Sequence, residues 1–219
     1  MPVEVDFYNN PGVFLNANVV VQKSPNQPTN YAEGTLYHFV VREFPTAIVG
    51  NLASRKACYM TLVPAGTLNA VQAYYCPYAP NEGRATQLGN AADYVFTPTM
   101  DGCTVGLGSY DGAGGRRMIH QNSASSGAAL GTVEATLESR DQQRRMQSNI
   151  VRSKLHDLNA PLIEPTQYQT WDVNGPIMGE IKTTTWGQHT ANADWTFFSA
   201  SYILLGKNSY AFRGVRQVF

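Results

Sequence analysis

Alternating apolar and polar positions dominate the chain, and most runs are too short for helices. Val13–Val21, Thr35–Arg42, Ala57–Val63 and Val71–Tyr75 are rich in Val, Tyr and Phe and are broken by Pro and Gly, the pattern of successive strands. A polar loop, Lys23 to Asn30, separates the first two. Tyr94–Phe96 and Thr104–Leu107 flank an Asp101-Gly102 turn. Gly108 to Gly115 reads as a glycine-rich loop, Arg116–His120 as another strand, and Ser123–Gly127 as a small-residue loop with the composition of a mobile segment. The last third returns to strands at Ile177–Thr185, Trp195–Leu205 and Tyr210–Val218. Alternation is clearest from Thr196 to Leu204.

One segment has helical periodicity. Over Ser139–Leu158, the residues Met146, Ile150, Val151, Leu155 and Leu158 recur at helical steps and predict one apolar stripe. Arg144, Arg145, Arg152 and Lys154 fall mostly away from it, as a solvated face would. Pro161 and Pro165 end the helix. With no internal repeat and no linker-like shift in composition, these elements predict an α+β fold. The expectation is a single domain over 1–219, with a mixed or antiparallel, sandwich-like β core flanked by helices and long loops.

Composition narrows the function classes. The chain has 219 residues, 43% hydrophobic and 15% charged, enough apolar side chains for a sizeable core. Its 16 basic and 16 acidic residues cancel, so no overall field draws it to nucleic acid or to an anionic membrane. No apolar run reaches the length of a membrane span, and the start Met1-Pro2-Val3-Glu4 has neither the basic nor the apolar region of a cleaved signal. Three cysteines, Cys58, Cys76 and Cys103, form no C-x-x-C motif; a Cys58–Cys76 bridge stays open, and core thiols in a reducing compartment are the simpler expectation. His38, His156 and His189 are scattered without metal-ligand spacing, so neither a metal nor a cofactor is expected. Gly106-Leu107-Gly108 and Gly112-Ala113-Gly114-Gly115 match neither a phosphate loop nor a dinucleotide fingerprint. Trp171, Trp186 and Trp195 fit a core at least as well as a sugar-binding face.

The candidate chemistry lies at Cys103. A thiol just past a tight turn, with His120 seventeen positions later on the next strand, has the parts of a thiolate nucleophile and its base. Gly102 permits positive φ and turns the next residue outward, and backbone N–H groups around Gly102 and Cys103 are candidates to face an oxyanion. Asp101, Arg116 and Arg117 are candidate substrate contacts, the arginines also as local support for a thiolate. The residues alone leave a structural reading open, because free cysteine is among the most buried residue types and a single histidine on a strand is usually structural.

The segment Phe96-Thr97-x-x-Met100-Asp101-Gly102-Cys103, a glycine-rich loop and then His120 resembles the active-site segment of the Burkholderia lethal factor and cytotoxic necrotizing factor catalytic-domain family, cysteine-dependent protein-glutamine deamidase toxins. Those proteins carry a Leu-Ser-Gly-Cys type motif with a histidine on the next strand, and in the lethal factor a threonine precedes the cysteine at the place Thr97 occupies. Weaker likeness lies at Tyr59–Pro64, Gly179–Ile181 and Ala193–Trp195. Met100 and Asp101 replace Leu and Ser of the motif, and the loop to His120 is longer.

The resemblance implies a toxin or effector that converts a glutamine of a host protein to glutamate, through a Cys103 thioester with His120 as base and Thr97 orienting it. It implies an RNA-helicase translation factor or a Rho-type GTPase as target. It also implies action in host cytosol after delivery or export without a cleaved signal. Charge balance and hydropathy give the expectation of no nucleic acid and no membrane insertion, and a monomer is expected. The alternatives are another Cys-His hydrolase, a transglutaminase, and a non-catalytic β-rich binding module.

Overall fold

The computed structural model describes residues 2–22, 31–44, 48–50, 55–110, 115–123, 132–168, 180–190, 194–206 and 208–219. The expected loops at Lys23–Asn30 and 124–127, Trp171, the segment 177–179 and Ala193 lie outside them.

The first departure from the sequence pattern is at the N-terminus. Where a strand over Val13–Val21 was expected, two short helices, α1 (Val3–Asn9) and α2 (Pro11–Ala17), precede β1 (Val19–Gln22). Asn10 caps α2 by accepting from the Val13 N–H at 3.1 Å, and Pro11 fits the first helical turn. Phe7, Phe14 and Leu15 go into the core from these helices, which alternation alone disguised.

The remaining strands are β2 (Leu36–Glu43), β3 (Ile48–Val49), β4 (Ala57–Val63), β5 (Val71–Tyr75), β6 (Gly83–Leu88), β7 (Tyr94–Phe96), β8 (Thr104–Tyr110), β9 (Gly115–Gln121), β10 (Leu162–Ile163), β11 (Glu180–Gln188), β12 (Thr196–Gly206) and β13 (Ser209–Gln217). Helix α3 (Val133–Lys154) and the single turn α4 (Pro165–Tyr168) complete the α+β fold. Among the described residues they form a nine-stranded mixed sheet, ordered β1-β4-β2-β5-β7-β11-β12-β13-β3, and a four-stranded antiparallel sheet, β10-β8-β9-β6.

The large sheet curls until it nearly closes. Its edge strand β1 returns to the middle of the sheet, where Thr99 N–H donates to the Gln22 carbonyl at 3.0 Å and the Thr184 hydroxyl donates to the Val20 carbonyl. Phe7, Phe14, Leu15, Phe39, Met60, Phe96 and Trp186 pack on one face of it. The opposite face meets the small sheet through Tyr74, Cys76, Val95, Met100, Cys103, Val105, Met118 and Phe197. Behind the small sheet lies α3, with Val151 and Leu155 against Ala85, Ile119 and Leu162.

Two further expectations change here. Gly108 to Gly115 is not one loop: Gly108, Ser109 and Tyr110 extend β8, Gly115 begins β9, and only 111–114 lie outside the described residues. Helix α3 begins at Val133, capped by Thr132 accepting from Ala135 N–H at 3.2 Å, and ends at Lys154, not Leu158. Its buried face is Gln147, Ser148, Val151 and Leu155, whereas Leu158 is 81% exposed. The apolar stripe was therefore misplaced, because two polar residues face the small sheet for their hydrogen bonds.

Candidate active site

Strand alternation builds the site. In the β8–β9 ladder Val105 lies opposite His120 and Thr104 opposite Gln121, so Cys103, one residue before β8, lies opposite Asn122. Cys103, Val105, His120 and Asn122 thus share the face that packs on the large sheet. Cys103 and His120 are diagonal neighbours, which sets their Cα atoms about 7–8 Å apart. The turn before the thiol is as the sequence requires: Gly102 has φ +81°, with open space where a side chain would lie.

The imidazole is held from the other sheet. Thr97, directly after β7, places its hydroxyl oxygen 2.6 Å from His120 Nδ1. Thr97 and His120 are both wholly buried. The tyrosine ring of Tyr78 stands edge-on to the imidazole, centroids 5.8 Å apart. Among the described residues His120 Nε2 is buried without a hydrogen-bond partner, so no hydrogen bond to the Cys103 thiol is formed.

The thiol has a different partner. Asn122 Nδ2 donates to Cys103 Sγ at 3.2 Å. Two hydrogen bonds fix the backbone around it: the Tyr168 hydroxyl donates to the Cys103 carbonyl at 2.7 Å, and Gln147 Nε2 donates to the Gly102 carbonyl at 3.1 Å. Gln147 also accepts from the Thr104 hydroxyl at 2.9 Å. Asn122, Tyr168 and Gln147 were missed in the sequence. Asn122 carried a signal, standing two positions after His120 on the same strand face; the other two carried none.

Burial governs the electrostatics. Cys103 is 2% exposed, and desolvation pushes its thiol above the ordinary value, opposed by the Asn122 donor and the Asp101 backbone N–H. The Asp101 carboxylate adds a smaller upward push, and it is tied to Lys182 at 3.0 Å. Desolvation lowers His120 to about 3. At neutral pH the pair therefore rests as neutral thiol and neutral imidazole. These closed surroundings do not match the outward-turned thiol and the arginine-supported thiolate expected from the sequence. All three cysteines are free and buried, so no Cys58–Cys76 bridge exists; burial pushes Cys58 up to about 12 and Cys76 higher.

Arg116 and Arg117 are not brought to the site. They stand four and three positions before His120 on β9, about 13 and 10 Å along the strand. Arg116 is paired with Asp194, and Arg117 with Glu33 at 3.0 Å. Trp186 and Trp195 are buried core residues. No described helix is long and apolar enough to cross a membrane. No family model and no curated protein sequence matches the chain.

Proposed function

We propose that the protein is a cysteine-dependent protein-glutamine deamidase, with Cys103 as nucleophile, His120 as base and Thr97 orienting the imidazole. One observation carries the reading: a hydroxyl lies 2.6 Å from Nδ1, and Nε2, on the strand face that also bears the thiol, is unengaged among the described residues. The resemblance of the Thr97–His120 segment to the lethal factor family supplies the reaction class. It also suggests a delivered toxin or effector whose substrate is a host RNA-helicase translation factor or a Rho-type GTPase.

Because neither charged form is stable in a dry interior, proton transfer accompanies attack. The Cys103 S–H proton passes to His120 Nε2 as the sulfur bonds to the carboxamide carbon of a glutamine, with backbone N–H groups near Gly102 and Cys103 facing the oxyanion. Collapse breaks the C–N bond, and the imidazolium proton leaves with ammonia. Water then attacks the thioester with His120 as base, releasing glutamate and restoring the thiol. An amine in place of water gives transglutamination.

The burial of both side chains favours a second reading, in which Cys103 and His120 are core residues of a non-catalytic β-rich binding module. A lysate treated with wild-type protein or with Cys103→Ala, scored by mass spectrometry for Gln-to-Glu conversion, decides between them. The deamidase reading expects sites converted by the wild type alone, and iodoacetamide labelling of Cys103 well ahead of Cys58 and Cys76. No conversion together with an inert Cys103 leaves the binding module.

A further inference from the structure

The Asn122 carboxamide is oriented from outside the site. A backbone N–H can only donate, so the Asn81 N–H at 3.2 Å fixes which end of the Asn122 amide is oxygen. The NH2 end then faces the Cys103 sulfur at 3.2 Å. Asn81 meets this demand in the left-handed region, at φ +58°, a conformation asparagine tolerates better than most residues. The Asn122 backbone is held on the same loop, its N–H donating to the Glu82 carbonyl at 3.1 Å. The result is a buried donor, 6% exposed, whose direction is set before any reaction begins.

A neutral thiol accepts hydrogen bonds weakly and a thiolate strongly, so a donor fixed in this direction is worth most after the proton has left. We propose that Asn122 is a further catalytic residue: its amide N–H, aimed by Asn81, stabilises the negative charge that develops on the Cys103 sulfur as His120 takes its proton. The inference rests on the thiol chemistry proposed above and divides its labour. Thr97 and His120 manage the proton, while Asn81 and Asn122 stabilise the charge left behind.

The other groups around the sulfur do not duplicate this role. His120 on β9 is neutral, and Tyr168 of α4 is spent on the Cys103 carbonyl. Asp101 acts against the thiolate, and Lys182 of β11 partly offsets it. The Asp101 backbone N–H also favours the thiolate.

The test is the pH profile of Cys103 alkylation by iodoacetamide in the intact protein, read by peptide mass spectrometry. Asn122→Asp keeps the shape and the acceptor for Asn81 but replaces the donor. It should raise the midpoint by more than about one to two pH units, the worth of one hydrogen bond to a charged group, because the new carboxylate also repels the thiolate, and slow labelling at neutral pH about tenfold or more. Asn122→Ala reads the lost donor alone and should shift the midpoint in the same direction. If both variants fail to fold, the wild-type side-chain NH2 resonances of Asn122 should move with the midpoint of Cys103 ionisation.

Profiles that superimpose on the wild type, or NH2 resonances that ignore the thiol, overturn the inference. So does undiminished Gln-to-Glu conversion by Asn122→Asp. A shifted profile without any glutamine conversion leaves Asn122 as the thiolate's donor and removes only the deamidase reading.

Discussion

His120 binds its proton far more weakly in the folded protein than in water, and this makes it a source of pH-dependent stability. Its folded value is about 3, against an ordinary value of 6.5. Between these two values the unfolded chain takes up a proton that the folded chain refuses, so stability is full above 6.5 and falls as the pH drops. The loss should be about 1.4 kcal/mol for each pH unit across that window. Urea titrations of wild type and His120→Gln from pH 7 to about 4 should show this slope in the wild type alone; equal slopes would mean that another group carries it. The same residue shows what a sequence can disclose about a site. The juxtaposition of His120 and Cys103 was legible because one Asp-Gly turn and two strands joined by a short connection bring them side by side, whereas Thr97 was pointed to only by the resemblance to the lethal factor family. Asn122 follows from the two-residue period of a strand. Tyr168 and Gln147 reach the Gly102–Cys103 carbonyls from 65 and 45 residues away, a proximity no local pattern encodes.

Helix α3 crosses the β8 strand closely. A methyl group added at Gly106 would run into Val151 and come within 2.8 Å of a Leu162 methyl carbon, while at Gly108 the nearest contact is 3.0 Å from Leu155. Gly106→Ala should therefore cost about 1–3 kcal/mol through overpacking. Gly108→Ala should cost less, because alanine also reduces the unfolded chain's freedom by about 0.4–1 kcal/mol and Leu155 has to give only slightly. Urea midpoints with an unchanged m-value would establish the order, and the reverse order would place the helix crossing elsewhere. This crossing also explains why Gly108 misled: glycine is depleted in strands on average, yet here a close helix demands it in one. Gln147 and Ser148 misled in the same way. They occupy the buried face of α3 to bond Thr104, Gly102 and Glu164, so hydrophobicity alone rotated the predicted stripe toward Met146 and Leu158. At the N-terminus, the Asn10 cap and Pro11 were stronger signals than the alternation that follows them.

On the scale of the whole molecule, the candidate site lies between the two sheets, so its chemistry depends on how those layers part. Cys58 sits within β4, flanked by β1 and β2 in the curled sheet, and Cys76 is enclosed beneath the small sheet. Cys103 is nearly as buried, but it follows a turn whose Asp101 side chain is 47% exposed. A turn at the margin of a layer can open without dissolving either sheet, whereas exposing Cys58 requires the curled sheet to come apart. Iodoacetamide labelling in low urea should therefore show a nearly flat dependence for Cys103. Cys58 labelling should rise with the full m-value of global unfolding. If all three thiols rise together, the thiol meets solvent only in the unfolded chain, and no glutamine side chain can reach it in the native one. A flat Cys103 dependence would instead identify the opening as a local property of the Asp101–Gly102 turn, the motion a buried nucleophile needs in order to meet a substrate.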